Sequence, residues 1–300
     1  MRKFIVTTTI QPPTEATLKF SKMLNWQMII VGDLKTPHEA YENGSWIYLH
    51  PDYQKEQYPE LSDAIGWNCI MRRNIGFVEA YKRGAEVVAT IDDDNMPYDG
   101  WGENLLIGKT LEVDHYEDNI GVFDPLSVTK YPELWHRGYP IQYIKDRNPK
   151  YLGKKTTKVQ IQADLWDGDP DIDATYRLIY SPLVKFDSTE PYTSEQITPF
   201  DSQNTFLSRQ LIPSYMVLPH VGRMDDIWGG YVVQHLCGVR PVFCKPSVYQ
   251  DRNEQSLIVN LEREIFGYKH TKSMLEDIDN FRQYLTPEAL KAFECYQRVF

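Results

Sequence analysis

Apolar and polar positions alternate in blocks along the first hundred residues. Residues 4–9 form an apolar, β-branched run, residues 14–24 follow Pro12-Pro13 with helical spacing, and residues 27–31 form a second apolar run closed by Gly32-Asp33. That order predicts a βαβ unit and hence a parallel sheet. Residues 65–83 carry apolar positions at helical spacing and stop at Gly84, a helix C-terminal signal, before a strand over 86–91. Asp92-Asp93-Asp94-Asn95 comes next, and Pro97 blocks any continuation. From about Asn119 the pattern turns irregular, with short strand-like runs, many aromatics and several prolines. Helical spacing returns over 261–266 and 272–284, and Pro287 opens a last amphipathic helix through Phe293.

Ligands of open α/β sheets bind outside the carboxyl ends of the strands. Thr7–Thr9, Asp33 and Asp92–Asp94 all fall at such ends. The sequence therefore reads as one unit over 1–300: a nucleotide-binding half (1–118), a sugar or acceptor half (119–260) and C-terminal helices (261–300). Self-association is left open.

Composition narrows the partners. A net charge of −10 and a pI near 5.2 repel phosphate backbones and anionic lipid, which disfavours nucleic-acid and membrane-surface binding. A nucleotide needs local help, which a divalent cation and a few arginines can supply. Cys69, Cys237, Cys244 and Cys295 show no CxxC spacing and read as reduced thiols. No stretch has the pattern of a secretory signal or a membrane span, so a cytoplasmic location is the expectation. The sequon Asn43-Gly44-Ser45 carries no weight without a secretory signal.

With 42 acids in 300 residues, a run of three is expected about 0.8 times by chance. The position of this run is what matters: three carboxylates ending an apolar strand repel one another unless a cation neutralises them. Hard oxygen donors favour Mg²⁺ or Mn²⁺, which would stabilise a departing diphosphate. A second acidic pair lies in Gly222-Arg223-Met224-Asp225-Asp226-Ile227-Trp228-Gly229-Gly230. Glycines there allow close approach, Trp228 offers a floor for a sugar ring, and Asp225 or Asp226 is the candidate general base. The alternative is an acid capping a helix start. The alternating Asp167, Asp169, Asp171 and Asp173 suggest a calcium loop, but Ile172 and Leu178 stand where such a loop needs glycine and glutamate. The seven histidines show no metal-binding spacing.

The segment from Arg73-Asn74-Ile75-Gly76-Phe77 through Gly84-Ala85 to Thr90-Ile91-Asp92-Asp93-Asp94-Asn95 resembles the helix–strand–DxD arrangement of GT-A glycosyltransferases. More specifically, the chain resembles the STELLO-type glycosyltransferase-like domain and, more distantly, the reversibly glycosylated polypeptides that act as UDP-arabinopyranose mutases. The matching stretches run in order: Thr8-Thr9-Ile10-Gln11-Pro12-Pro13-Thr14, Val31-Gly32-Asp33, the acidic run, Arg137-Gly138-Tyr139-Pro140, residues 165–174, residues 222–228 and Val259-Asn260-Leu261.

The resemblance implies a GT-A fold, with a Rossmann-like, mostly parallel sheet flanked by helices, an irregular acceptor-side half and C-terminal helices. It also implies a nucleotide-sugar donor, with UDP as the default, a glycan or other hydroxyl acceptor, and Mn²⁺ or Mg²⁺. Thr8 and Asp33 would touch the nucleoside, Arg72 or Arg73 the base or phosphate, and Asp92, Asp93 and Asp94 the ribose and metal. Asp169 and Asp171 would accept sugar hydroxyls, and Arg137, Arg223 and Trp228 would contact sugar or pyrophosphate. A third metal ligand would fall at Gln250 or Asp251. In the mutase-like relatives the arginine matching Arg137 is glycosylated and a second arginine follows seven positions on; here that position is Ile144. The sequence thus favours an inverting glycosyltransferase over a mutase or a non-catalytic scaffold.

Overall fold

The computed structural model describes residues 1–187, 190–252 and 255–300. Its framework is one sheet of eleven strands: β1 (Lys3–Thr9), β2 (Gln27–Gly32), β3 (Ile47–Leu49), β4 (Val87–Ile91), β5 (Asn95–Pro97), β6 (Thr110–Glu117), β7 (Lys150–Lys158), β8 (Ile161–Gly168), β9 (Tyr192–Thr193), β10 (Asn204–Ser208) and β11 (Pro241–Gln250). The order across the sheet is β3-β2-β1-β4-β10-β8-β11-β9-β6-β7, with β5 added on β11. Strands β3, β2, β1 and β4 are parallel, as the βαβ pattern predicts. β4 buries every residue, which suits an unbroken apolar run in a central parallel strand.

Strand β10 runs antiparallel to both β4 and β8, while β8 and β11 run parallel to each other. In consequence the carboxyl ends of β1, β2, β4, β8 and β11 and the start of β10 share one edge of the sheet. Gly168 ends β8 with φ +89°, where a side chain would strike the Gln250 carbonyl at 2.4 Å, so the ends of β8 and β11 close on each other only with glycine here.

Helices cover both faces: α1 (Glu15–Phe20), α2 (Pro51–Gln57), α3 (Pro59–Ile65), α4 (Arg73–Lys82), α5 (Ala174–Ile179), α6 (Asp225–Cys237), α7 (Leu257–Glu276) and α8 (Pro287–Gln297). Side-chain oxygens of Thr14, Ser256 and Thr286 cap the first turns of α1, α7 and α8. Gly76 lets α4 press on the sheet, since a Cβ there would lie 2.5 Å from Val6 and 2.9 Å from Val31. No helix among the described residues is long and apolar enough to cross a membrane.

Two helical expectations are redrawn. The helix expected over 65–83 is interrupted: α3 stops at Gly66 (φ +82°), Asn68 is left-handed (φ +56°), and helical backbone resumes at Ile70. The interruption frees the Cys69 N–H to donate to the Asp33 carboxylate at 3.0 Å. Conversely, the two helices expected over 261–284 begin as one continuous α7. Its polar middle is a buried face: a Cβ on Gly267 would lie 2.3 Å from Met224, and the Thr271 hydroxyl accepts from Trp228 at 3.0 Å.

Candidate active site

The shared edge of the sheet opens into a cavity of about 220 Å³. Thr8 ends β1, Asp92, Asp93 and Asp94 follow β4, Ser202 and Gln203 precede β10, Asp171 follows β8, and Gln250 and Arg252 finish β11. Asp225 and Asp226 enter from the first turn of α6, with Arg223 just ahead of it and Arg137 between them and Asp171. A second recess of about 360 Å³ adjoins it, sharing Thr8, Ile70, Asp93 and Gln255 and adding Gln11, Asn68 and Cys69.

Charge is distributed in ordered pairs. Arg73, fully buried, spans the floor: it contacts Asp92 at 2.5 Å, Ser202 through both its hydroxyl (2.8 Å) and carbonyl (3.0 Å), and Thr90 at 3.2 Å. Asp93 accepts from the Thr9 hydroxyl. Asp94 is pushed up to about 7 by burial and by the neighbouring Asp92 and Asp93 carboxylates.

On the opposite wall Arg137 is buried among three carboxylates. It donates to Asp171 at 2.9 Å, to Asp226 at 2.9 Å and to the Arg223 carbonyl, and lies 3.6 Å from Asp225. Burial opposes ionisation of Asp171 and Asp226, yet the Arg137 guanidinium outweighs it and holds both below the usual carboxylate range. Asp225 goes the other way, raised to about 8 by burial and by the charge of Asp226.

The sequence-predicted residues divide cleanly in space. Thr8, Arg73, Asp92, Asp93, Asp94, Arg137, Asp171, Arg223, Asp225 and Asp226 all line the cavity. Five candidates do not. Arg72 turns away into the α2–α3 hairpin, donating to Gln54 (3.0 Å) and to the Ser62 carbonyl (3.2 Å) with its guanidinium over the Trp67 ring. Asp33 is buried behind the edge, accepting from the Leu34 and Cys69 amides at 2.7 and 3.0 Å. Trp228 lies in the core against Phe266 and donates to Thr271 at 3.0 Å, so it floors no sugar. Asp169 stands outside the wall, paired with Arg177 at 2.5 Å and Arg252 at 3.5 Å. Asp251 is exposed, and its neighbours Gln250 and Arg252 take the wall instead.

Sequence reasoning missed Ser202, Gln203 and Arg252. Ser202 and Gln203 lie before a strand that reverses direction, so no carboxyl-end rule flags them. Arg252 carries no pattern of its own in the sequence beyond being a basic residue two positions past the end of β11.

Among the described residues no three His, Cys, Asp or Glu side chains converge as a metal cluster. The donor set nonetheless suits a hard divalent cation, because Mg²⁺ and Mn²⁺ are commonly held by one or two carboxylates with substrate phosphates and water filling the other positions. Asp94, destabilised as an anion by its neighbours, and Asp92 are the residues that would hold it.

A mixed α/β sheet of this order, carrying an acidic run after its central strand and a second acidic pair facing it, is a GT-A-like glycosyltransferase fold. No protein-family model matches the chain. It is 25% identical over 296 residues to a protein of Arabidopsis thaliana named Probable glycosyltransferase STELLO2, covering 88% of this chain and 38% of that protein. It is 26% identical over 255 residues to Probable glycosyltransferase STELLO1 of the same plant, covering 78% and 33%. The chain spans about a third of the length of these relatives. Similarity over most of its own length supports its assignment to the STELLO-type family.

Proposed function

We propose that this chain is a metal-dependent glycosyltransferase that moves a sugar from a nucleotide-sugar to a hydroxyl acceptor with inversion. The observation that carries the reading is the single cavity in which Asp92–Asp94 and Arg73 face Asp225 and Arg137. The donor fits along the first wall, its nucleoside in the recess at Thr8, Gln11 and Asn68 and its phosphates toward Arg73 and Asp94. Bound Mn²⁺ or Mg²⁺ would supply Lewis-acid stabilisation of the leaving diphosphate.

The chain's own residues do the rest. Asp226 is saturated: its oxygens accept from Arg137, the Ile227 amide, and the Ser202 amide and hydroxyl. It therefore positions the first turn of α6 and the start of β10. Asp225 is the base. Its raised proton affinity fits removal of the acceptor proton as the acceptor oxygen bonds to the anomeric carbon and the bond from that carbon to the diphosphate breaks. The guanidinium of Arg137 is committed to carboxylates and a carbonyl and held strongly protonated, which disfavours a mutase carrying sugar on this arginine.

The test is calorimetric titration with UDP, GDP and CDP, each with and without Mn²⁺. We expect one nucleotide to bind in a metal-dependent manner and to lose that binding in Asp94→Ala. Failure of all three to bind would overturn the reading.

A further inference from the structure

Two segments leave the acceptor wall of the cavity side by side. A β-bridge joins His136 to Ile172, and the Arg137 amide donates to the Asp171 carbonyl at 3.1 Å. Arg137 and Asp171 face the cavity; near them along each segment stand Trp135 and Tyr176, whose rings meet edge to face with centroids 5.2 Å apart. Tyr180, one helical turn beyond Tyr176, extends the row at 5.1 Å.

Tyr176 and Tyr180 are carried on an excursion over 169–184 that is tied at its root. Gly168 and Val184 exchange two backbone hydrogen bonds of 2.8 Å, and Arg177 holds Asp169 at 2.5 Å. The tip exposes large apolar side chains together: Ile179 is 74% exposed, Tyr180 59% and Leu183 71%. Clustered exposure of this kind on a braced segment marks a binding surface more often than a solvated turn.

We propose that Trp135, Tyr176 and Tyr180 form an acceptor subsite for a neutral oligosaccharide, which lays its sugar rings along the aromatic row and presents one hydroxyl past Arg137 and Asp171 to Asp225. The inference rests on the glycosyltransferase reading and names its acceptor class. Two observations select this occupant. The recess continuous with Thr8 and Asp93 takes the donor side, so the acceptor arrives from the wall that Arg137 and Asp171 build. Sugars offer apolar C–H faces to aromatic rings and hydroxyls to carboxylates, whereas anionic lipid and polyanionic glycans are repelled by a chain of net charge −10.

The full chain, Tyr180→Ser and Tyr176→Leu would be applied to a glycan array, with nucleotide titration in Mn²⁺ as a parallel measurement. Tyr180 is exposed enough for its replacement to leave the fold intact, and Tyr176→Leu keeps apolar contact with Trp135. The expected result is retention of a neutral glycan class by the parent chain, weakened about tenfold in each variant, the loss of one ring-stacking contact, with nucleotide binding unchanged. Two results would overturn the proposal: no glycan retained, or retention indifferent to both substitutions. Absence of nucleotide binding in the parent chain sinks the transferase reading instead, and leaves the glycan measurement to stand alone.

Discussion

Asp225 and Asp226 are adjacent in sequence and opposite in chemistry, and only their neighbours separate them. Asp226 has Arg137 and Ser202 on its oxygens, while Asp225 accepts from the Asp226 amide and stays farther from the guanidinium. The same limit applies to Arg72 and Arg73: adjacent residues diverge by about 100° around a helix, and which one meets the sheet edge depends on where the helix starts. Turnover should therefore rise with pH as Asp225 deprotonates, with its midpoint near 8. Asp225→Asn should lower kcat by about 10²-fold or more while leaving nucleotide affinity unchanged, as steady-state rates and calorimetry would show. The stability linkage runs oppositely. A carboxyl whose folded-state pKa is raised contributes stability that is fully present below its unfolded value near 4 and is lost as pH climbs through about 8. Thermal unfolding between pH 6 and 9 should thus fall less steeply in Asp225→Asn than in the parent protein; an identical slope would refute the assignment. Arg137→Met removes the ion-pair partner of the buried Asp226 and leaves Asp171 with Arg252 alone at 3.6 Å, and should cost about 3–5 kcal/mol of unfolding free energy.

At the scale of elements, the parallel half of the sheet was legible because β1, β2 and β4 are continuous apolar runs separated by helical spacing. The break at Gly66 was not, because residues 70–83 keep helical spacing beyond it and hide the turn. Nor was the reversal of β10 readable, since a buried strand carries the same pattern in either direction. Gly76 shows how close α4 lies to β1. Alanine there would gain up to about 1 kcal/mol in helix propensity but force a Cβ to within 2.5 Å of Val6, and overpacking of about 1–3 kcal/mol should win. Denaturant unfolding of Gly76→Ala should accordingly show lower stability. Arg72 belongs to this scale too. It ties α3 to Gln54, whose amide donates to the Gly32 and Leu49 carbonyls at 2.7 Å, so Arg72→Met should lower the melting temperature and leave nucleotide affinity unchanged. A loss of nucleotide affinity in a stably folded Arg72→Met would return Arg72 to the site.

Over the whole molecule, electrostatics would set the order in which the proposed cation and nucleotide arrive. Among the described residues six carboxylates and four guanidiniums line the cavity, and the chain carries a net charge of −10. A nucleoside diphosphate approaching without a cation meets like charge both locally and at long range, and the four arginines are already engaged by acids or carbonyls. Added salt screens that repulsion over about 10 Å at 0.1 M. Metal-free nucleotide binding should therefore tighten, or at worst hold constant, as monovalent salt rises from 20 to about 200 mM, the reverse of what a basic phosphate site would show. With Mn²⁺ present, the cation offsets Asp92 and Asp94, the attraction becomes local, and the salt dependence should flatten or change sign. Fluorescence titration of a labelled nucleotide across that salt range, with and without Mn²⁺, measures both slopes. A steep loss of metal-free affinity with salt would mean that the arginines alone attract the diphosphate, and that the acidic run at the end of β4 serves some purpose other than holding a cation.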